Sequence, residues 1–163
     1  MIIETICVCS LAISPLIIFE AVMHQAAWYE NGLLSYNWSI DVSENNWMNN
    51  EIGLIWLKTV FNKYTKNHSV DWYRLLILDD HSSYVMSEFD QYCLKHLIII
   101  LCMSLHLSHL LQPLDVDCFS VLKHLYKKHI EMLMSLNVNQ IDKQKFLSIY
   151  QKVCTEALCQ NNV

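Results

Sequence analysis

Two aspartates follow or precede apolar segments in a way that could place them at one edge of a β-sheet. Asp79 ends the apolar run from Tyr73 to Leu78, and Asp115 begins a predicted helix further along the chain. Carboxylates at a sheet edge attract Mg²⁺, which prefers oxygen ligands and takes one or two from protein. Two such ions can activate a nucleophile and stabilise the leaving oxygen in phosphoryl transfer. The spacing alone is equally compatible with a helix N-cap or a solvated loop residue.

The elements around Asp79 predict a parallel pair of strands. The run Tyr73 to Leu78 is typical of a strand buried on both faces, Ser87 to His96 of a short helix, and Leu97 to Met103 of a second buried strand. A strand, helix and strand in succession favour parallel pairing. The carboxyl ends of the two strands would then lie at the same edge of the sheet.

The rest of the chain fits the same α/β class within a single domain, residues 1–163. Adjacent strands are predicted at Ile2 to Leu11 and at Pro15 to Ala21, with Pro15 at a strand start, and a short strand at Trp38 to Ser43. A helix begins after Asn49 or Asn50. Two C-terminal helices are predicted from about residue 115, the first from Asp115 to Leu133 and the second capped by Asp142.

Composition excludes several classes of protein. With only 2 Gly and 2 Pro, the chain can carry neither a dinucleotide-binding fingerprint nor a Walker loop. Residues 1–57 contain six acidic residues and no Lys or Arg, so a surface that binds polyanions must come from the later part of the chain. The 7 cysteines lie mostly in apolar runs without metal-site spacing, which predicts reduced, buried thiols and an intracellular protein.

The apolar run from Thr5 to Phe19 imitates the core of a signal peptide, but Glu4 stands where the basic segment should be. The longest apolar run near the centre, Leu97 to Leu105, is far shorter than the ~20 residues of a membrane-spanning helix. We therefore expect no membrane partner. A secreted or membrane-attached protein remains the alternative for this segment.

The first C-terminal helix carries a basic cluster. Lys123 and Lys127 lie one turn apart on one helical face, with Lys128 beside them. Such a face can contact phosphates, and it is equally typical of a helix face exposed to solvent.

Three segments resemble the DDE endonuclease domain of pogo-like transposases, a group that includes centromere-protein-B-like and jerky-like relatives. They are LLILDDHSS (75–83), HLSHLLQPLDV (106–116) and NNEIGLIWL (49–57). Similar residues continue upstream through Pro15 to Phe19 and Ala27 to Tyr29, and downstream through Ile141 to Lys143 and Thr155 to Leu158. The resemblance covers nearly the whole chain.

The resemblance implies a ribonuclease-H-like fold, a mixed sheet flanked by helices, in which three Asp residues bind two Mg²⁺ or Mn²⁺ ions and cut and join DNA in the nucleus. Asp79 matches the second acid and Asp115 the third. His81 and His109 match motif positions that could orient DNA phosphates or the metal-binding acids. The first acid of the family lies on a strand upstream of the segment matched by residues 4–19, so we expect an incomplete sheet, truncated at its N-terminus.

At the matched positions where the family uses Gly or Pro, this chain has Asp80, Ser104, Leu105 and Asp117. Extra carboxylates beside each metal ligand would redistribute the cation or require protonation. We therefore expect a transposon-derived endonuclease domain without catalytic activity. The alternative is a non-catalytic DNA- or protein-binding module that uses Lys123, Lys127 and Lys128. The incomplete sheet also predicts self-association through unpaired strand edges and apolar surface.

Overall fold

The computed structural model describes residues 1–7, 11–29, 37–68, 72–78, 87–103, 112, 114, 118–138 and 140–158. These residues form a mixed α/β structure. The strands are β1 (Ile2–Cys7), β2 (Leu11–Glu20), β3 (Ser39–Ser43), β4 (Arg74–Leu78) and β5 (Ile98–Cys102). The helices are α1 (Asn50–Trp56), α2 (Asn62–Thr65), α3 (Ser87–Lys95), α4 (Phe119–Ser135) and α5 (Lys143–Ala157), with a short 3-10 helix at Ala26–Trp28.

The N-terminal strands form a mixed sheet in the order β1-β2-β3, with β1 antiparallel and β3 parallel to β2. The two predicted N-terminal strands are thus adjacent, but Pro15 does not start the second one. The register slips between Ile3, which lies opposite Leu16, and Thr5, which lies opposite Ile13. Pro15 therefore falls at a β-bulge, where its missing N–H costs no regular ladder hydrogen bond.

Of the two predicted caps of the first long helix, Asn49 and Asn50, the structure has Asn49, and α1 begins at Asn50. The Asn49 side-chain oxygen accepts a hydrogen bond from the Ile52 N–H at 2.8 Å. Helix α1 continues without a break through a π-helical segment, Leu57–Phe61, into α2. Its apolar side, with Trp56, Leu57 and Val60, is buried against the sheets.

Strands β4 and β5 run parallel, joined through α3, as the strand, helix and strand pattern predicts. Arg74 lies opposite Ile98 and Leu78 opposite Cys102. Leu97, at a φ of 56°, makes the turn that ends α3 and starts β5. The prediction that β4 is buried on both faces is wrong: Leu76 and Leu78 are buried, whereas Leu75 and Ile77 are exposed, because the helices of the described structure cover one face only.

The described residues form two sheets, whereas the sequence predicts a single sheet. Two clusters of buried side chains pack against these sheets. The first cluster joins β2, α1 with its π-helical continuation, β4, α3 and β5, so the two sheets share one core. The second packs the other face of the β1-β2-β3 sheet against α4 and α5. Of the described cysteines, Cys93 and Cys118 are buried as predicted, but Cys102 is exposed.

The last helix begins as predicted at Asp142, whose carboxylate accepts a hydrogen bond from the Lys145 N–H at 2.7 Å. The start predicted for the preceding helix, Asp115, lies outside the described residues, and α4 is described from Phe119. Replacing Asp142 with alanine removes the cap of α5 and should lower the free energy of unfolding by about 1 kcal/mol. Chemical denaturation measures this loss, and Asp142→Asn, which keeps a capping oxygen, should lose only a small part of it.

Candidate functional site

The parallel pair β4-β5 fixes the edge at which the predicted site would stand. Leu78 and Cys102 end the two strands opposite each other, and the Met103 N–H donates a hydrogen bond to the Leu78 carbonyl oxygen at 3.0 Å. Asp79 follows Leu78 directly in the sequence. Both strands therefore deliver the chain to the same edge, where residues after their carboxyl ends come together in parallel sheets.

Arg74 holds the other end of β4 in place. Its guanidinium donates hydrogen bonds to the Thr65 hydroxyl and to the His96 carbonyl oxygen, both at 2.9 Å, and lies 5.9 Å from the centre of the Phe61 ring. Burial lowers the pKa of the Arg74 guanidinium, although neighbouring Tyr92 and Cys93 oppose that effect. The strand before Asp79 is thus anchored to α2 and to the end of α3.

Four of the predicted site residues, Asp79, Asp115, His81 and His109, lie outside the described residues, so their distances from one another stay a prediction. The neighbours of Asp115 that are described, Leu114 and Cys118, are both buried. The described residues nearest to Asp115 on either side therefore lie in the interior of the protein.

Gln112 is a polar residue at this site that sequence reasoning missed. Its Oε1 atom is buried and accepts no hydrogen bond within the described part of the chain. A buried amide oxygen without a donor costs free energy, so such atoms are rare and tend to mark a site with a further partner. Gln112 lies in the segment 106–116 that carries the family resemblance, three residues before Asp115, but the resemblance alone gives it no role.

The basic residues Lys123, Lys127 and Lys128 are exposed on α4, as predicted for a solvent-facing helix surface. Lys127 Nζ lies 3.8 Å from Glu131 Oε1 one turn further on, and Lys123 Nζ lies 6.0 Å from the centre of the Phe119 ring. An exposed ion pair of this kind is worth little free energy. Glu131 nevertheless offsets part of the positive charge that the face offers to a phosphate.

A second polar site, also missed from the sequence, lies in the interior between β1 and α5. Glu4 is only 8% exposed, and its Oε1 atom accepts hydrogen bonds from the Tyr150 hydroxyl at 2.5 Å and from Cys154 Sγ at 3.7 Å. The Oε2 atom is buried and has no partner among the described residues. Burial raises the pKa of the Glu4 carboxyl, and the two hydrogen bonds only partly oppose this.

A family model described as a DDE superfamily endonuclease matches residues 1–160 of this chain. The chain belongs to this family. The match spans both sheets and all the helices described above, and it includes Asp79 and Asp115. Membership in the DDE endonuclease family implies a nucleic acid as the substrate of that family.

The DDE endonuclease domain also resembles a curated protein named "MFS-type transporter clz9" from Cochliobolus lunatus. The two are 41% identical over 152 residues, which is 93% of this chain but 16% of that protein. The chain thus spans about one sixth of the relative that it matches. No solved structure matches the chain. In the part of the chain that the structure describes, no helix is long and apolar enough to cross a membrane.

The two acids that are predicted to bind a metal ion are of the type that suits a hard divalent cation. Asp79 and Asp115 supply the carboxylate type that Mg²⁺ and Mn²⁺ prefer. Among the described residues, no group of three or more His, Cys, Asp or Glu side chains could hold a metal ion. Asp79 and Asp115 lie outside the described residues, so their binding of a metal ion stays a prediction, and we derive no catalytic step from it.

Proposed function

We propose that this chain is part of a transposon-derived DDE endonuclease of the pogo-like group, which acts on DNA in the nucleus. We also propose that Asp79 and Asp115 are its metal-binding acids. The observation that supports this most directly is the parallel β4-β5 pair, whose carboxyl ends meet immediately before Asp79. The family match over residues 1–160 supports the nuclease assignment itself.

In this proposal, Mg²⁺ or Mn²⁺ supplies activation of a nucleophilic water or hydroxyl and stabilisation of the leaving oxygen. Asp79 and Asp115 hold the cation at the edge of the sheet. His81 and His109 hold DNA phosphates or orient the two aspartates. In this proposal Gln112, whose buried Oε1 atom has no partner among the described residues, accepts a hydrogen bond from a neighbour in the same segment.

We further infer that the strand carrying the first acid belongs between β1 and β4, in a ribonuclease-H-like order. Within the described structure, β1 pairs only with β2 and β4 only with β5, so each presents one open edge. The two sheets nevertheless share one core through Leu16, Ile18 and Leu76. A strand between the open edges would merge them into a single mixed sheet and would bring its acid beside Asp79.

We expect the 163-residue chain to show no Mg²⁺- or Mn²⁺-dependent cleavage of DNA, because Asp79 and Asp115 match only two of the three acids of the family and Asp80 and Asp117 add carboxylates beside them. A nicking assay on supercoiled plasmid with each metal measures this. Cleavage by the wild-type chain that is lost in Asp79→Ala and in Asp115→Ala would contradict the proposed inactivity. If the chain is a fragment of a longer gene product, the first acid and a helix-turn-helix region should be encoded upstream, and the extended protein should cleave.

The exposed lysines of α4 favour a second candidate function, a module that binds DNA, or an acidic protein surface, without catalysis. Affinity for duplex DNA should then fall steeply with salt in the absence of metal, by a slope of about −0.9 for each phosphate contacted. Lys127→Ala should reduce the slope by about one contact, whereas Lys152→Ala, exposed on α5, should leave it unchanged. Glu131→Gln removes the carboxylate beside Lys127 and should tighten binding. Affinity that is flat from low to high salt would count against this function.

A further inference from the structure

One face of the β4-β5 sheet is apolar and uncovered. Along β4, Leu75 and Ile77 are 57% and 48% exposed, and along β5, Ile99 and Leu101 are 52% and 49% exposed. The parallel register sets Leu75 opposite Ile99 and Ile77 opposite Leu101. These four side chains, called here the outer face of the β4-β5 sheet, therefore form one contiguous block.

The alternate residues of the same strands explain why this face is unusual. Leu76, Leu78 and Ile98 are buried in the core against α1 and α3. Parallel strands are normally covered on both faces because their side chains are apolar on both sides. Here the sequence is apolar on both sides, but the described helices cover only one.

The outer face carries no charge from its own strands. The one charged residue of the two strands, Arg74, is drawn away by its hydrogen bonds to Thr65 and the His96 carbonyl and by its contact with Phe61. Tyr73, just before β4, is 61% exposed and in strand alternation lies on the same side as Leu75. The described side chains on this side of the β4-β5 sheet are therefore all apolar, apart from the hydroxyl group of Tyr73.

The exposed area is large enough to matter for association. If a fully exposed aromatic side chain presents about 200 Å² and an aliphatic one somewhat less, these five side chains together expose roughly 500 Å². That lies near the upper end for the largest apolar patch of a typical monomer, about 300–600 Å². Two such faces in contact would bury roughly 1,000 Å², the lower limit for a specific protein interface.

We propose that a second copy of this chain packs on the outer face of the β4-β5 sheet, so that two such sheets stack across a two-fold axis. A two-fold interface requires a surface that is complementary to itself. An uncharged apolar face meets this condition, since neither copy brings a charge that the other must neutralise. Stacked sheets lie about 10 Å apart with their side chains interdigitated. This inference does not rest on the proposed nuclease function.

Stacking through the face differs from pairing through the open edges of β1 and β4. Edge pairing uses backbone N–H and C=O groups, so charged side chains on an edge strand oppose it, whereas an uncharged β-branched residue such as threonine is compatible with it. Face stacking depends on the side chains themselves. The uncharged variant Ile77→Thr/Ile99→Thr therefore separates the two modes of association, because it should weaken face stacking and leave edge pairing intact.

The experiment measures the oligomeric state of the full chain by sedimentation velocity over a range of protein concentrations. Wild type should show a monomer–dimer equilibrium. Ile77→Lys/Ile99→Lys should raise the dissociation constant at least ~100-fold, because each copy would present cations to the other. Ile77→Glu/Ile99→Glu should do the same, and an equimolar mixture of the two variants should form a dimer again. Met132→Lys/Met134→Lys, at equally exposed positions on α4, should leave the wild-type dimer intact.

Circular dichroism and thermal melting establish that each variant is folded. If the charged variants do not fold, Ile77→Thr/Ile99→Thr keeps β-branched side chains and should still weaken the dimer at least ~10-fold. A wild-type chain that stays monomeric at every concentration would overturn the proposal. So would a dimer that persists in the folded Lys variant, or a mixture of Lys and Glu variants that stays monomeric.

Discussion

Replacing Trp56 with alanine is expected to lower the free energy of unfolding by about 3–5 kcal/mol, the usual cost of removing a large aromatic side chain from a packed core. Trp56 is only 2% exposed and belongs to the cluster that joins β2, β4 and β5. Its ring lies 5.9 Å from that of Phe61. Removing the Trp56 side chain would open a cavity in the buried cluster to which both sheets contribute.

Urea denaturation followed by far-UV circular dichroism measures the effect. Trp47→Ala is the matched control, because Trp47 is 66% exposed and its truncation should change stability by no more than about 0.5 kcal/mol. The indole Nε1 of Trp56 is buried without a hydrogen-bond partner among the described residues, so removing it offsets a small part of the loss. A loss for Trp56→Ala no larger than that for Trp47→Ala would show that the two sheets do not depend on a common core.

Local patterns predicted much of this fold because the interactions that decide it are local. Asn49 and Asp142 were both identified as helix caps, and each makes the expected hydrogen bond three residues along the chain. The parallel pairing of β4 and β5 follows from the short helix that joins them. Pro15 was placed in the right strand region, but the bulge that accommodates it depends on the partner strand and left no signal in the sequence.

Sequence patterns did not predict burial or hydrogen bonding where the contacting residue is distant in the sequence or where no described element covers the residue. The run from Leu75 to Leu78 is apolar at every position, so it cannot reveal that only one of its two faces is covered. The hydrogen bond between Glu4 and Tyr150 spans 146 residues, and no spacing within either segment predicts it. The predicted metal-binding residues Asp79 and Asp115 lie outside the described residues, so their closeness to each other stays a prediction.

The buried carboxyl of Glu4 is expected to make the protein less stable as the pH rises. Burial holds the pKa of folded Glu4 above the ordinary value of a glutamate. At a pH below that ordinary value, both the folded and the unfolded chain keep the proton, and stability is unaffected. As the pH rises above it, the unfolded chain releases the proton while the folded chain retains it, so the folded state loses stability until its own, raised pKa is passed.

Glu4→Gln should therefore stabilise the protein near neutral pH and have little effect near pH 4. The gain should grow from pH 4 to pH 8, by about 1.4 kcal/mol for each unit by which the pKa of folded Glu4 exceeds that of the unfolded chain. The glutamine keeps an oxygen that can accept the hydrogen bond from Tyr150 but can carry no charge. Melting curves from pH 4 to pH 8 measure the difference between the variant and wild type.

Glu44→Gln provides the control for this titration, because Glu44 is exposed and its replacement should leave the melting curves unchanged at every pH. Tyr150→Phe removes the donor to Glu4 Oε1 and should lower stability across the whole range, since the carboxyl then loses a hydrogen bond in either protonation state. Together the two variants at this site separate the cost of the charge from the value of the hydrogen bond. An equal gain for Glu4→Gln at pH 4 and pH 8 would mean that packing, and not ionisation, distinguishes the two side chains.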